Sequence, residues 1–369
     1  MKKLLIGSTA LVAAGMLAGN ASAADKIKLS LGGYMDNFIG MSTNKSSYLN
    51  TISGQPNIGG FDVQQDSEVH VIGSTKLDNG LTVGVKWEME TNAGAQSANT
   101  DSASVYISSA TLGTIDLGSD DNAADKMHNA PSTASSFNLE IGDNAQWIQA
   151  PSKVTYERWT RSTGAKDYYG ISYRSPSFGG FQVGGSYTAG TDENPQTSNG
   201  AISDKDMWTA AVAYSGKFSD VSVKADLFYA AQGSGETHGS LNPAGMDQVG
   251  GGLKIGFGAF EVAGAYRSID QGKATGGSSM DGKVFSVGAG YTSGPMQVTI
   301  SWLRSKMEGS VAVAADDQVD LYTLQGGYDL GGGVKLSAVL EKAKYDDETT
   351  AAANNNEGWA AVAGVQVSF

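Results

Sequence analysis

Residues 81–91 read LTVGVKWEMET. Leu81, Val83, Val85, Trp87 and Met89 fall on one face, and Thr82, Gly84, Lys86, Glu88 and Glu90 on the other. An alternation this strict is the period of a β-strand with two faces in different solvents. The same period recurs in VSVKADLFY (221–229), FEVAGAYR (260–267) and MWTAAVAY (207–214). It also runs to the last residue in EGWAAVAGVQVSF (357–369). There Trp359, Ala361, Ala363, Val365 and Val367 alternate with Ala360, Val362, Gly364, Gln366 and Ser368, and the chain stops on Phe369. Chain ends are commonly polar and frayed. A terminal aromatic in mid-alternation needs a partner strand.

The connections alternate in length. Short breakers stand at Asp78-Asn79-Gly80, Gly113, Pro176 to Gly180, Ser215-Gly216, around Gly258, at Ser293-Gly294-Pro295 and at Gly331-Gly332-Gly333. These suit tight hairpins. Longer polar stretches lie between them, at 42–65, 93–101, 119–167, 189–205, 231–246, 271–282, 307–317 and 345–356. Eight long and seven short connections imply sixteen strands. An antiparallel meander with one end short and the other elaborated describes a transmembrane β-barrel, with short periplasmic turns and long outer loops. Closure removes sheet edges that lipid cannot satisfy.

Face composition points the same way. Apolar faces are bracketed by aromatics: Trp208 with Tyr214, Phe181 with Tyr187, Phe285 with Tyr291. That spacing suits two interfacial girdles. The opposite faces mix Gly, Ser, Thr, Lys, Asp and Glu, and are expected to line a wet lumen rather than a packed core. Mean hydropathy is −0.22, which is unremarkable for a barrel exposing alternate residues to lipid.

Export is expected. MKKLLIGSTALVAAGMLAGNASA has Lys2 and Lys3, an apolar stretch from Leu4 to Ala18, and Ala21-Ser22-Ala23. This reads as a signal peptide over 1–23, cleaved to leave a barrel domain over 24–369. Removing Lys2 and Lys3 from 25 basic residues leaves 23 against 38 acidic ones, a net charge of −15. Such a surface disfavours nucleic acid. There is no cysteine, hence no disulfide and no thiolate chemistry.

Several stretches resemble the Gram-negative general porins, particularly those of alphaproteobacterial type. KLSLGGYMDNFIG (28–40) looks like the family's first strand, and KLDNGLTVGVKWEMET (76–91) like its second hairpin. ASVYISSATLGTIDLGSDD (103–121) is similar to its fourth and fifth strands. YRSPSFGGFQVGGSY (173–187) is similar to the sixth and seventh. The terminal Phe369, with Val367 and Val365, matches the outer-membrane assembly signature and would close the barrel. The resemblance implies an outer-membrane homotrimer with one water-filled pore per subunit, and a third long loop folded into the lumen. The 119–167 gap has that position. Two departures stand out. The loop lacks the acidic-Phe-Gly-Gly motif of enterobacterial porins, and the chain has Gly118-Ser119-Asp120 where many relatives carry arginine after the glycine.

A pore narrowed by opposed charges favours hydrated solutes over apolar ones. The third loop offers Asp120, Asp121, Asp125, Glu140 and Asp143 as constriction acids. Strand parity directs Lys28, Lys76, Lys86, Arg174 and Lys224 to the pore wall. Lys335 and Glu341 also fall inward. Arg304, Lys306, Lys342 and Lys344 fall outward near the long loops, in reach of lipid and lipopolysaccharide phosphates. The expected function is passive diffusion of small hydrophilic solutes and ions, with mild cation preference. A substrate-selective channel, or a barrel enzyme, is the alternative. Enzymatic signals are poor. His70, His128 and His238 lack metal-ligand spacing. GGSY and SPSFGG are not nucleophile elbows, and GGGLKIGFG has no following helix. No cofactor or metal is expected; the acids at 346–348 and Asp316-Asp317 could bind divalent cations at the outer surface, but read more readily as solvated loop charge.

Overall fold

The computed structural model describes residues 26–51, 60–91, 100–137, 147–163, 169–188, 207–233, 245–271, 281–309 and 315–369. Sixteen strands run in chain order. The first eight are β1 (Lys28–Ser42), β2 (Gly60–Lys76), β3 (Thr82–Glu90), β4 (Thr100–Ser109), β5 (Gly113–Ser119), β6 (Tyr169–Arg174), β7 (Phe181–Thr188) and β8 (Met207–Phe218). The rest are β9 (Val221–Gln232), β10 (Met246–Phe257), β11 (Phe260–Gln271), β12 (Gly282–Ser293), β13 (Met296–Glu308), β14 (Asp316–Gly331), β15 (Val334–Asp346) and β16 (Asn356–Ser368). Two single helical turns, α1 (Ser46–Leu49) and α2 (Ala123–Lys126), sit in connections. Every strand pairs antiparallel with its sequence neighbours, and β1 pairs with β16, so the sheet closes.

Period two becomes two surfaces. Val85, Val105, Leu117, Ile171, Tyr187 and Trp208 stand in one lateral row across β3 to β8. All point outward. Outward apolar side chains are widely exposed: Leu31 at 76 %, Phe61 at 69 % and Leu227 at 66 %. Leaving one such side chain in water forfeits about 1.5–3 kcal/mol each, so this surface belongs in lipid. Aromatics bracket the band. Phe181 packs on Tyr214 and Tyr187 on Trp208, with centroids 4.8 and 4.3 Å apart. Six residues of strand between Phe181 and Tyr187 span about 20 Å.

One expected turn is misplaced. The chain runs straight through Ser215-Gly216 inside β8 and turns after Phe218. The Ser215 N–H bonds the Gly180 carbonyl at 2.8 Å, which keeps this segment in the sheet. A side chain at Gly216 would run into the Tyr214 ring, so that glycine makes room for an aromatic. Ser219 takes the left-handed conformation, φ 54°, at the real turn. The first long gap is also shorter than expected, because β2 already begins at Gly60.

The interior is not wet throughout. Val284, Leu303, Val319, Leu321, Val339 and Ala343 point inward from β12 to β15 and are buried. Phe137, Trp147, Ile148 and Val154, from the connection after β5, cover them, with Phe38 and Tyr345 joining. Part of the inner face is therefore a dry core. It escapes notice in the sequence because its apolar residues are interleaved with Ser301, Ser305, Thr323, Gln325 and Ser337, which are buried beside them.

Candidate functional site

The connection from β5 to β6 carries the decisive contacts. At its root Asn122 caps α2, accepting the Asp125 N–H at 3.0 Å. From α2 onward the segment bonds one inward-facing group after another. The Ala123 N–H donates to Ser186 Oγ (2.7 Å), and the Asn129 N–H to Asp226 Oδ1 (2.8 Å). Lys254 Nζ donates to Ser132 Oγ (2.8 Å), and the Ala134 N–H to Gln325 Oε1 (3.0 Å). Ser135 Oγ donates to Ser337 Oγ (3.1 Å). The returning arm, 147–163, bonds Asn44 through the Gln149 N–H, Asp317 through Thr155, Ser305 through Glu157 and Gln248 through Thr163. His128 ties the two arms together: Nδ1 lies 3.0 Å from Asp226 Oδ2 and Nε2 3.0 Å from Thr160 Oγ1.

Glycines on the inner wall mark the loop's path. A Cβ at Gly184 would meet Met127 Sδ, one at Gly252 the Asn129 carbonyl, one at Gly288 Pro131, and one at Gly327 the Ala134 carbonyl. Arg267 in β11 is completely buried. Its guanidinium donates to Glu157 Oε2 (2.6 Å), to Gln248 Oε1 (2.9 Å) and to Thr163 Oγ1. A buried guanidinium needs this degree of satisfaction.

The opposite flank stays open to solvent. Inward groups of β2 and β3 keep exposure: His70 at 22 %, Lys86 at 25 % and Glu88 at 20 %. Glu68 accepts from Tyr34 Oη at 2.8 Å, and its carboxylate lies 2.8 Å from His70 Nε2. Glu90 stands directly opposite Glu68.

Among the pore-wall bases, the structure joins Lys86 and Arg174 to the loop root. Lys86 Nζ lies 3.2 Å from both Glu88 and Asp120. Arg174 reaches Asp116 at 3.5 Å. Lys28, Lys76 and Lys224 face inward as well, but toward the short-turn end, apart from that group. Of the loop acids, Asp120 sits within the group. Burial raises its carboxyl, but hydrogen bonds and charge from Lys126 and Lys86 outweigh this and hold it below the usual range. Asp125 lies deeper and bonds Arg161 (3.2 Å). Burial and the neighbouring Asp121 carboxylate push it up to about 7 against the pull of Arg161. Glu140 and Asp143 lie outside the described residues.

Sequence reasoning missed the cations on the loop, Lys126 and Arg161, and the acids on the wall, Asp116 and Asp226. Parity along GTIDLGS (113–119) places Asp116 inward and could have found that acid. Lys126 has no such signal, because its position depends on α2. Outside the barrel, Arg304 grips Asp320 at 2.7 and 3.0 Å and lies over Trp302 at 5.0 Å. Lys342 lies over Trp359 at 5.3 Å. Asp317 serves as a clamp, accepting the N–H groups of Thr155 and Glu348.

A family model described as Gram-negative porin matches residues 7–348. The chain belongs to the Gram-negative porins. No curated protein sequence matches it. Solved porin structures match its fold. An anion-selective porin from Comamonas acidovorans superposes with a TM-score of 0.67 at 19 % identity, covering 93 % of this chain and 100 % of that one. OmpF of Salmonella typhi, in complex with daunomycin, gives 0.64 at 16 % identity over 93 % and 98 %. OmpT, an outer membrane protein of Vibrio cholerae, gives 0.58 at 11 % over 94 % and 100 %. At these identities the likeness speaks for fold. Family and fold together make this porin an outer-membrane diffusion channel without enzymatic activity.

Proposed function

We propose that this porin is a general diffusion channel for small hydrophilic solutes and ions, with mild cation preference. The observation that carries the reading is the division of the lumen. One flank, β9 to β16, is filled by the third loop. The other, β2 to β6, presents partly exposed charged side chains toward it, His70, Lys86, Glu88 and Arg174 among them. Solutes pass along this polar flank, and the loop narrows it beside Asp120, Asp121 and Asp125. Glu68, Glu88 and Glu90 on the open wall favour cations.

The subunits assemble as trimers in this reading. Gly326, Ala338, Ala361 and Ala363 form a shallow outer groove, flanked by Ile39 and Leu340. Small side chains of this kind let a neighbouring barrel approach closely. The aromatic and basic belt at Arg304, Lys306, Lys342 and Lys344 meets lipid headgroups and lipopolysaccharide at the long-loop end. Residues 1–23 are removed on export, so the mature protein starts at Ala24.

Reconstitution in planar bilayers tests the central reading. Large, stepwise, nearly ohmic conductance, commonly in threes, is expected, with a reversal potential in a salt gradient on the cation side. Small single steps contradict the general-diffusion reading, and an anion-side potential contradicts the cation preference.

A further inference from the structure

Six side chains at the loop root form a continuous chain of alternating charge. Arg174 reaches Asp116 Oδ2 at 3.5 Å. Lys126 Nζ lies 3.2 Å from the same Asp116 oxygen and 2.8 Å from Asp120 Oδ2. Lys86 Nζ lies 3.2 Å from Asp120 Oδ1 and 3.2 Å from Glu88 Oε2. The order is Arg174, Asp116, Lys126, Asp120, Lys86, Glu88. Three cations alternate with three anions, and their formal charges cancel.

Four members come from strands, Lys86 and Glu88 on β3, Asp116 on β5 and Arg174 on β6. Asp120 follows β5 directly. Lys126 alone comes from α2, held in place by the Asn122 cap. It occupies the middle and serves two carboxylates at once. Its side chain keeps 16 % exposure, against 25 % for Lys86 and 29 % for Arg174. The three cations and Glu88 thus border the open flank of the lumen, while Asp116 and Asp120 are nearly covered, at 9 % and 10 % exposure, where water screens them incompletely.

We propose that Lys126 sets the ionic preference of the pore, by neutralising the Asp116–Asp120 pair on the wall from its place on the loop. The proposal rests on the diffusion-channel reading above. Without Lys126, two carboxylates share no cation between them and the chain carries a net charge of −1 beside the permeation path. Fixed charge at a narrow point partitions co-ions and counter-ions unequally, so the preference follows the sum of charges and not the acids alone.

Reversal potentials of reconstituted full-length porin in a potassium chloride gradient test this. Lys126→Gln is expected to raise the cation-to-anion permeability ratio by about twofold or more at low salt. The shift should fade near 1 M salt, where the screening length is about 3 Å. Lys126→Arg keeps the charge and should stay at the parent ratio. Asp116→Asn should move the ratio the other way. The double variant K126Q/D116N, neutral again, should return toward the parent value. An unchanged ratio in Lys126→Gln, with normal conductance steps, overturns the proposal. So does an equal shift in Lys126→Arg, which would mark packing and not charge. If Lys126→Gln does not fold, Asp116→Asn alone decides: no shift toward anions refutes the proposal. A parent protein without conductance steps would instead overturn the channel reading itself.

Discussion

Phe369 and Gly33 exchange two backbone hydrogen bonds: the Gly33 N–H donates to the Phe369 carbonyl at 3.0 Å, and the Phe369 N–H to the Gly33 carbonyl at 3.1 Å. The last residue of the chain thereby seals the seam between β16 and β1. Gly33 takes φ 149°, and a side chain there would run into the Glu68 carbonyl. Deleting Phe369 removes both bonds and an exposed aromatic at the membrane edge. The fraction of protein that inserts and resists heat on a gel should fall sharply. Channels that do form should conduct as the parent does. A deletion variant that assembles normally contradicts the role of this seam.

Lys86 lies between Glu88 and Asp120 on the open flank. Lys86→Glu replaces the shared cation with a third carboxylate. Cation preference in a salt gradient should increase. An unaltered reversal potential would place Lys86 away from the permeation path.

The loop should behave as part of the wall. Ser135 Oγ and Ser337 Oγ are 3.1 Å apart and buried, and the chain has no native cysteine. The pair S135C/S337C should oxidise to a disulfide within one subunit. Single-channel conductance before and after reduction should agree. A large change on reduction would show that the loop moves during permeation.

Gly252 offers a steric counterpart. A Cβ at this position would strike the Asn129 carbonyl. Gly252→Leu should push the loop off β10 and make it sensitive to protease in detergent, while the barrel remains folded. Displacing a packed backbone in this way typically costs about 1–3 kcal/mol. Protease resistance equal to the parent would disprove the close approach.

Asp125 carries a pH dependence. Its carboxyl is raised from 3.8 to about 7 in the folded loop. The folded loop therefore holds this proton more tightly than an opened one. The resulting stabilisation is complete below pH 3.8 and is lost as pH rises through about 7. Protection factors for amide exchange of residues 120–137, corrected for intrinsic exchange rates, should be larger at pH 5.5 than at pH 8. Asp125→Asn should flatten the difference. Larger protection at the higher pH would reverse the sign and refute the assignment.

How far the sequence discloses all this varies with the length scale involved. Barrel, strand number and face assignment are legible, because lipid on one side forces period two along every strand, as in LTVGVKWEMET. The turn after β8 is not, because Ser219 takes a positive φ without glycine and Gly216 serves an aromatic ring instead. The dry core is invisible for another reason. It needs Phe137 and Trp147 to meet Val339 and Leu321 across nearly two hundred residues, and no local pattern encodes that meeting. Asp120 and Asp125 can be read as loop acids from their place in the sequence, but the partners they meet cannot. Lys126 becomes a member of the wall's charge chain only once α2 has folded.

The apolar packing inside the barrel also divides how the gene can drift. Along β12 to β15, an inward substitution is judged by volume, as in any globular interior: Leu303 or Val319 can change only together with the loop side chains seated on them. Along β2 to β6 the inward His70, Lys86 and Glu88 keep partial exposure, so a substitution there alters charge with less disturbance of apolar packing. Upkeep of the fold thus weighs more heavily on one arc of the ring than on the other.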